Sequence, residues 1–169
     1  MSDGPAVLTD DRRSAHADSD DADLAALASL LAAVLAAEGV PADAECALSL
    51  VDPDEIAELK VEHLDGDGNP TDVLSFPIDG GERPDNGPWM VGDVVLCPAV
   101  ADAQAAGHAG TPADELALLV VHGGLHLVGW DHATPDERDA MWARERELLT
   151  SLRGAPARDP WAPESQVDP

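Results

Sequence analysis

The sequence predicts an α/β (α+β) fold in which a small mixed β-sheet of about four strands packs against about five helices. Three observations support this class. The chain has 169 residues, a length that favours one compact domain. Hydrophobic residues make up 44% of the chain, which is enough to form a core. The predicted elements follow the order strand, helix, strand, helix, two strands and then helices.

The first part of the chain is expected to begin with a polar segment, residues 1–20, that contains a short first strand near residues 6–9. A single domain is expected over residues 21–153. Leucine and valine residues recur at helical spacing over 24–35, and Gly39 follows as a natural stop for that helix. A short buried strand is predicted over 47–51.

The next helix is predicted to begin at Pro53 and to extend to about residue 64, because proline at the first turn favours a helix start. Residues 65–70 form a predicted loop that partly matches a calcium-binding EF-hand. Pro70 stands where that motif needs glycine, and Phe76 stands where it needs a bidentate glutamate. We therefore expect no calcium site in this loop.

Two more strands are predicted over residues 71–78 and 91–97, joined by a loop rich in glycine and proline. Three helices follow, over about 99–106, 113–128 and 135–152. Thr134 is the expected N-cap of the last helix, with Pro135 at its first position. Residues 154–169 contain four prolines and are expected to form a disordered C-terminal tail.

The charge of the chain is strongly negative, with 9 basic and 34 acidic residues and a formal net charge of −25. Such a surface repels polyanions and, taken alone, argues against a nucleic-acid-binding protein. Two cysteines without a CxxC spacing favour a reducing compartment, so a cytoplasmic location is expected. The apolar runs are too short to cross a bilayer, and no membrane partner is expected.

The most informative segment is H-G-G-L-H-L-V-G-W-D-H at residues 122–132. His122 and His126 are four residues apart on a predicted helix, so their imidazoles lie on one face, roughly 6 Å apart along the axis. Gly129 can adopt the positive φ that ends the helix, after which the chain can bring in His132. Three protein ligands leave one position open, as in catalytic zinc sites. One zinc ion per chain is therefore predicted on these three histidines.

The same histidine spacing occurs in zinc peptidases, which carry a glutamate directly after the first histidine as general base. Gly123 occupies that position here, which argues against proteolysis and suggests room for a bulky substrate beside the metal. Two other residues are candidate catalytic groups. Asp131 could orient an imidazole or act as a base, and Ser75 could contact the substrate.

The segment at 122–132 resembles the signature of the YbeY family of bacterial zinc-dependent endoribonucleases. Two further stretches, P-T-D-V-L-S-F-P at 70–77 and G-D-V-V-L-C-P at 92–98, match in the same order, and the resemblance covers residues 45 to 150 or so. It implies a single-strand-specific, metal-dependent endoribonuclease that acts in 16S rRNA 3′-end maturation and late-stage 70S ribosome quality control. It also implies a cytoplasmic location, one zinc ion on the three histidines, an rRNA substrate, and the ribosome or ribosomal proteins as partners.

One departure from this family concerns phosphate binding. The family commonly carries an arginine shortly before the P-T-D motif, whereas residues 61–69 contain none and the nearby basic candidates are Lys60 and His63.

The last helix carries arginines among acidic residues that include Glu145, a pattern typical of a solvated face. A local RNA-contacting stripe is the alternative for those arginines: Arg138, Arg144, Arg146 and Arg153.

Two other functions are compatible with the histidine pattern. The first is a zinc hydrolase of another class, such as a peptidase or amidase, against which Gly123 argues. The second is a non-catalytic, zinc-containing ribosome-associated factor. A non-catalytic zinc site would have a closed coordination sphere without a solvent ligand.

The net charge leads to a prediction about RNA binding. Because so few basic residues are available, binding of single-stranded RNA should be weak outside the metal pocket and should depend little on salt. A plot of log Kd against log salt concentration measures the number of phosphate contacts. A steep slope, equivalent to many contacts, would contradict the prediction and reveal a basic surface.

Overall fold

The computed structural model describes residues 4–14, 23–79 and 83–161. The strands are β1 (Ala6–Asp11), β2 (Glu45–Leu50), β3 (Val73–Pro77) and β4 (Met90–Leu96). The helices are α1 (Leu24–Ala37), α2 (Pro53–Leu64), α3 (Pro98–Ala105), α4 (Pro112–Leu127) and α5 (Pro135–Leu152). The predicted α/β class, a mixed four-stranded sheet with five helices, is confirmed for these residues.

The sheet has the strand order β1-β2-β4-β3. Strands β1, β2 and β4 run parallel to one another, and β3 runs antiparallel to β4. The two central strands are the most apolar and the most buried, since helices cover both of their faces. The edge strand β1 exposes most of its residues, and Leu8 retains 59% of its surface.

The core lies mainly between α1, α4 and one face of the sheet, where Leu31, Leu48 and Leu125 are fully buried. A smaller cluster on the opposite face packs Ile56 of α2 against Val95 of β4. Helix α4 is enclosed on several sides, because 12 of its 16 residues are buried. Across the described ranges, none of the helices is both long and apolar enough to traverse a bilayer.

Two glycines allow α4 to approach its neighbours closely. A Cβ at Gly123 would lie 3.0 Å from Val94 Cγ1 and 3.1 Å from Ser75 Oγ. A Cβ at Gly124 would lie 2.9 Å from Leu31 Cδ1. The expectation that Gly123 opens space for a substrate beside the metal is therefore wrong, because this residue is buried and its missing side chain lets the helix pack on the sheet.

The stretch predicted to be a disordered tail divides into two parts. Residues 162–169 lie outside the described residues, whereas residues 155–161 pack on the domain. The Arg158 N–H donates to the Ala109 carbonyl at 2.9 Å, and the Ala157 N–H donates to Asp114 at 2.9 Å. The structure differs from the expectation because a polar, proline-rich composition does not reveal anchors that lie on distant parts of the chain.

Substitution of Gly123 tests the close packing of α4. Gly123→Val should lower the free energy of unfolding by roughly 1–3 kcal/mol, because the added side chain overlaps Val94 and Ser75. Gly107→Val is the matched control, since an added Cβ there meets nothing nearer than 4.0 Å. Urea denaturation followed by circular dichroism measures both. Equal free energies of unfolding in the two variants would show that α4 does not need this close approach.

Candidate metal centre

Helix α4 and the loop after it bring three imidazoles together. His122 and His126 lie near the C-terminal end of α4, Gly129 follows with a φ of 104°, and His132 lies in the loop before α5. One ring nitrogen of each histidine lies within 4.8 Å of the other two. The Nε2 atoms of His122 and His126 are 3.1 Å apart. Gly129 thus ends the helix and lets His132 join the other two histidines, as the spacing predicts.

The chemistry of this donor set fits a divalent metal ion. Two neutral imidazoles that face each other through Nε2 lone pairs repel each other unless a proton or a cation lies between them. Burial, followed by the charges of His122 and His132, lowers the pKa of His126 and favours its neutral, metal-binding form. His132 is exposed, so the cluster is open to solvent on one side. This openness suits a site with a free coordination position.

A buried carboxylate orients the first histidine. Glu145 of α5 is 3% exposed, and its Oε1 accepts a hydrogen bond from His122 Nδ1. Because the proton is then on Nδ1, the Nε2 lone pair of His122 faces the cluster. Trp161 Nε1 donates to the second oxygen, Oε2, at 3.1 Å. Both oxygens of this buried carboxylate are therefore hydrogen-bonded, as burial requires.

The interpretation of Glu145 as part of a solvated face is wrong. Met141, Glu145, Leu148 and Leu149 are the buried residues of α5. Their spacing of four, three and one residues is the helical pattern of an inward-facing stripe. An acidic residue within such a stripe was the available signal for a buried functional group, and the charged residues on either side of it obscured that signal.

The arginines near α5 have intramolecular partners. Arg138 lies over Trp142, Arg144 pairs with Glu38 and Glu147, Arg146 pairs with Asp159 and lies over Trp161, and Arg153 pairs with Asp114. A guanidinium that already contacts a carboxylate or an indole has less capacity to bind phosphate. These contacts do not support an RNA-contacting stripe on this helix.

The two other candidate catalytic residues make packing contacts. Asp131 Oδ1 accepts a hydrogen bond from the His132 backbone N–H at 2.8 Å, which braces the loop that carries this histidine. Ser75 Oγ donates to the Gly123 carbonyl at 3.1 Å and joins β3 to α4. Neither bond involves an imidazole. A role for Asp131 as a base and for Ser75 as a substrate contact stays a prediction.

The basic residues nearest to the P-T-D motif are also engaged locally. Lys60 Nζ donates to Asp67 Oδ1 at 3.1 Å and to the Asn69 carbonyl at 3.4 Å. The His63 ring packs edge-on against Phe76, with ring centroids 5.2 Å apart. Both side chains therefore already have partners within the chain.

Comparison with known proteins identifies relatives of this chain. Residues 10–153 match the family model described as Endoribonuclease YbeY. Endoribonuclease YbeY of Corynebacterium glutamicum is 52% identical over 114 residues, which cover 63% of this chain and 58% of that protein. The protein of the same name from Salinispora tropica is 47% identical over 130 residues, 71% of this chain and 82% of that protein. The chain thus spans little more than half of the Corynebacterium relative.

A solved structure agrees with these sequence matches. The solution structure of TM1509 from Thermotoga maritima aligns with a TM-score of 0.55 and 25% sequence identity. The alignment covers 92% of this chain and 99% of that one. The overall fold is therefore shared over nearly the whole length of both chains.

The geometry of the cluster generates a prediction about metal binding. Replacement of any one of His122, His126 or His132 by alanine should sharply reduce the zinc that remains bound after gel filtration, as measured by elemental analysis. Glu145→Gln should lower the zinc affinity about 10–100-fold, because a neutral amide holds the His122 tautomer less well. Full zinc content in all three histidine variants would contradict the site.

The matched control for Glu145→Gln is Asp131→Asn. The sequence suggests that Asp131 orients an imidazole, whereas its observed partner is the His132 backbone. We therefore expect the larger loss of zinc affinity in Glu145→Gln. An equal or larger loss of zinc affinity in Asp131→Asn would show that Asp131 orients an imidazole, as the sequence suggests.

Proposed function

The chain belongs to the endoribonuclease YbeY family, and on that premise we propose that it cleaves single-stranded RNA internally, with zinc as its metal ion. The observation that carries the proposal is the convergence of His122, His126 and His132, which lies within the segment that matches the family. The family's name supports the reaction class. The donor set of three imidazoles, open on one side, supports zinc.

Zinc at this site would act as a Lewis acid toward a phosphate and would activate a water molecule. The residues of the chain supply position and orientation. Helix α4 holds two of the imidazoles rigidly, and Glu145 keeps the Nε2 of His122 directed at the cluster. The exposed side next to His132 is the direction from which a phosphodiester can approach.

The absence of a carboxylate after His122 favours RNA over a peptide as the substrate. Zinc peptidases of this spacing use that carboxylate as general base. Gly123 lacks one and is turned toward the sheet. Cleavage of RNA needs less from the protein, because a non-bridging phosphate oxygen can itself accept a proton. A peptidase or amidase is therefore not favoured, and the open side of the cluster does not favour a closed, non-catalytic zinc site.

The net charge of −25 bears on which partners bring RNA to the metal site. A protein this acidic gains little from non-specific attraction to RNA, so something else must bring the substrate to the metal. We infer that the ribosome or its proteins present the rRNA, in 16S 3′-end maturation and in quality control of 70S ribosomes. The corresponding location is the cytoplasm.

Incubation of the purified chain with RNA tests the proposed function. Single-stranded RNA should be cut internally, double-stranded RNA of the same sequence should be cut far less, and casein should stay intact. A chelator should abolish cleavage and added zinc should restore it, because the histidines alone provide no Lewis acid. His126→Ala, purified in parallel, controls for contaminating nucleases. Equal cleavage by this variant, or no cleavage by the parent chain, would overturn the proposal.

A further inference from the structure

A cavity that the proposed reaction does not yet use lies beside the metal centre. We call it the His108 cavity; it has a volume of about 210 Å³ and lies between α4, α5, the start of β3 and residues 160–161. His122 and Glu145 are among its lining residues. Since His122 also directs Nε2 at the cluster, its imidazole is shared by the cavity and the candidate metal site.

The walls of the cavity suit a flat ring. Trp142 and Trp161 contribute indoles, and Leu118 and Leu119 contribute an apolar floor from α4. Proteins that bind single-stranded nucleic acid commonly stack bases on aromatic side chains, a contact that tolerates any base. The volume is below that of a typical drug-sized pocket and matches a small ring system.

The polar groups of the cavity are held by a hydrogen-bond network. Glu115, fully buried, accepts from His108 Nδ1 at 2.9 Å, and this hydrogen bond raises the pKa of His108 despite its partial burial. With Nδ1 bonded to Glu115, Nε2 is the ring nitrogen left for a ligand; it accepts a hydrogen bond when the ring is neutral and donates one when the ring is protonated. Gln104 Nε2 donates to Glu115 at 2.8 Å and to Asp72 at 2.6 Å, which ties the Asp72 carboxylate to the same network. The His108 ring and the Asp72 carboxylate are thus held in place before any ligand arrives.

The charges around the cavity exclude a phosphate. The Asp72 and Glu145 carboxylates line it, and its lining residues include no lysine or arginine. A phosphate carries negative charge and would be repelled by this arrangement. A neutral heterocycle with N–H donors and carbonyl or ring-nitrogen acceptors complements both Asp72 and His108.

We propose that the His108 cavity binds the nucleobase next to the phosphate that is cleaved. The base stacks on the indoles, donates to Asp72 and forms a hydrogen bond with His108 Nε2. This inference rests on the proposed function, because it places RNA at the metal centre. It explains how a strongly acidic chain holds its substrate: the contact is to an unpaired base and not to the backbone. A base in a duplex cannot enter, so the proposed site predicts a preference for single strands.

Base removal from the substrate tests the proposal without any risk to folding. A series of short RNAs carries, at successive positions, one ribonucleotide that lacks its base but keeps its 2′-hydroxyl. One position next to the cleaved phosphate should raise KM about tenfold, the effect of losing one base stack, with a much smaller change in kcat. Equal KM values at every position, with cleavage intact, would overturn the cavity proposal and leave the proposed function standing.

A variant that fills the cavity tests whether the effect of the missing base on KM arises in the cavity. Leu119→Phe should raise KM for intact RNA and remove the sensitivity to the missing base. Trp142→Leu, at a half-buried position on α5, serves if Leu119→Phe does not fold. Ala33→Leu, which fills a separate groove between α1 and α5, controls for a general effect of added volume. An undiminished sensitivity in folded Leu119→Phe would place the base elsewhere.

A binding measurement separates the cavity from catalysis. Titration of the four ribonucleosides into the chain should shift the indole N–H NMR signals of Trp142 and Trp161, and Leu119→Phe should abolish the shifts. Trp89 and Trp130 do not line the cavity and serve as internal controls. Shifts in a chain that cleaves no RNA would show that the cavity binds nucleosides, but they would reject the nuclease and with it the place of the base next to a cleaved phosphate. The same shifts in all four indoles, or in none, would overturn the cavity proposal.

Discussion

The hydrogen bond between Glu145 and His122 joins the metal centre to the rest of the fold. It links α5 to α4 and orients an imidazole in the cluster. A carboxylate this deeply buried is costly unless its oxygens are paired, and Trp161 supplies the second partner from the segment after α5. The last helix and the segment beyond it are therefore part of the site, although the three histidines all precede them in the chain.

The close approach of α4 to the sheet is the second constraint on the site. Gly123 and Gly124 sit between the two helical histidines and let α4 contact Val94 on one side and Leu31 on the other. Any displacement of α4 would carry both imidazoles with it. The helix is thus held by the core on the faces that do not bind metal, and His122 and His126 are left on its remaining, partly exposed face. Packing and metal binding share one helix by using different sides of it.

The fold and the histidine cluster were predictable because their signals are local. The i, i+4 spacing and Gly129 give the cluster, and Thr134 forms the expected cap, here as a full capping box with Glu137. The pairing of Glu145 with His122 and the docking of Arg158 on Ala109 were not predictable, because they join segments that are distant in the sequence. The role of Gly123 was misread for the same reason, since Val94 and Ser75 approach it only in the folded chain.

The orientation of His122 by Glu145 is the claim on which the metal site depends. Long-range ¹H–¹⁵N NMR correlations in the zinc-loaded chain report which ring nitrogen carries the proton and which binds the metal. We predict a proton on His122 Nδ1 and coordination through Nε2, as the hydrogen bond to Glu145 requires. A proton on Nε2, or coordination through Nδ1, would contradict this, because Glu145 could then have no donor in His122.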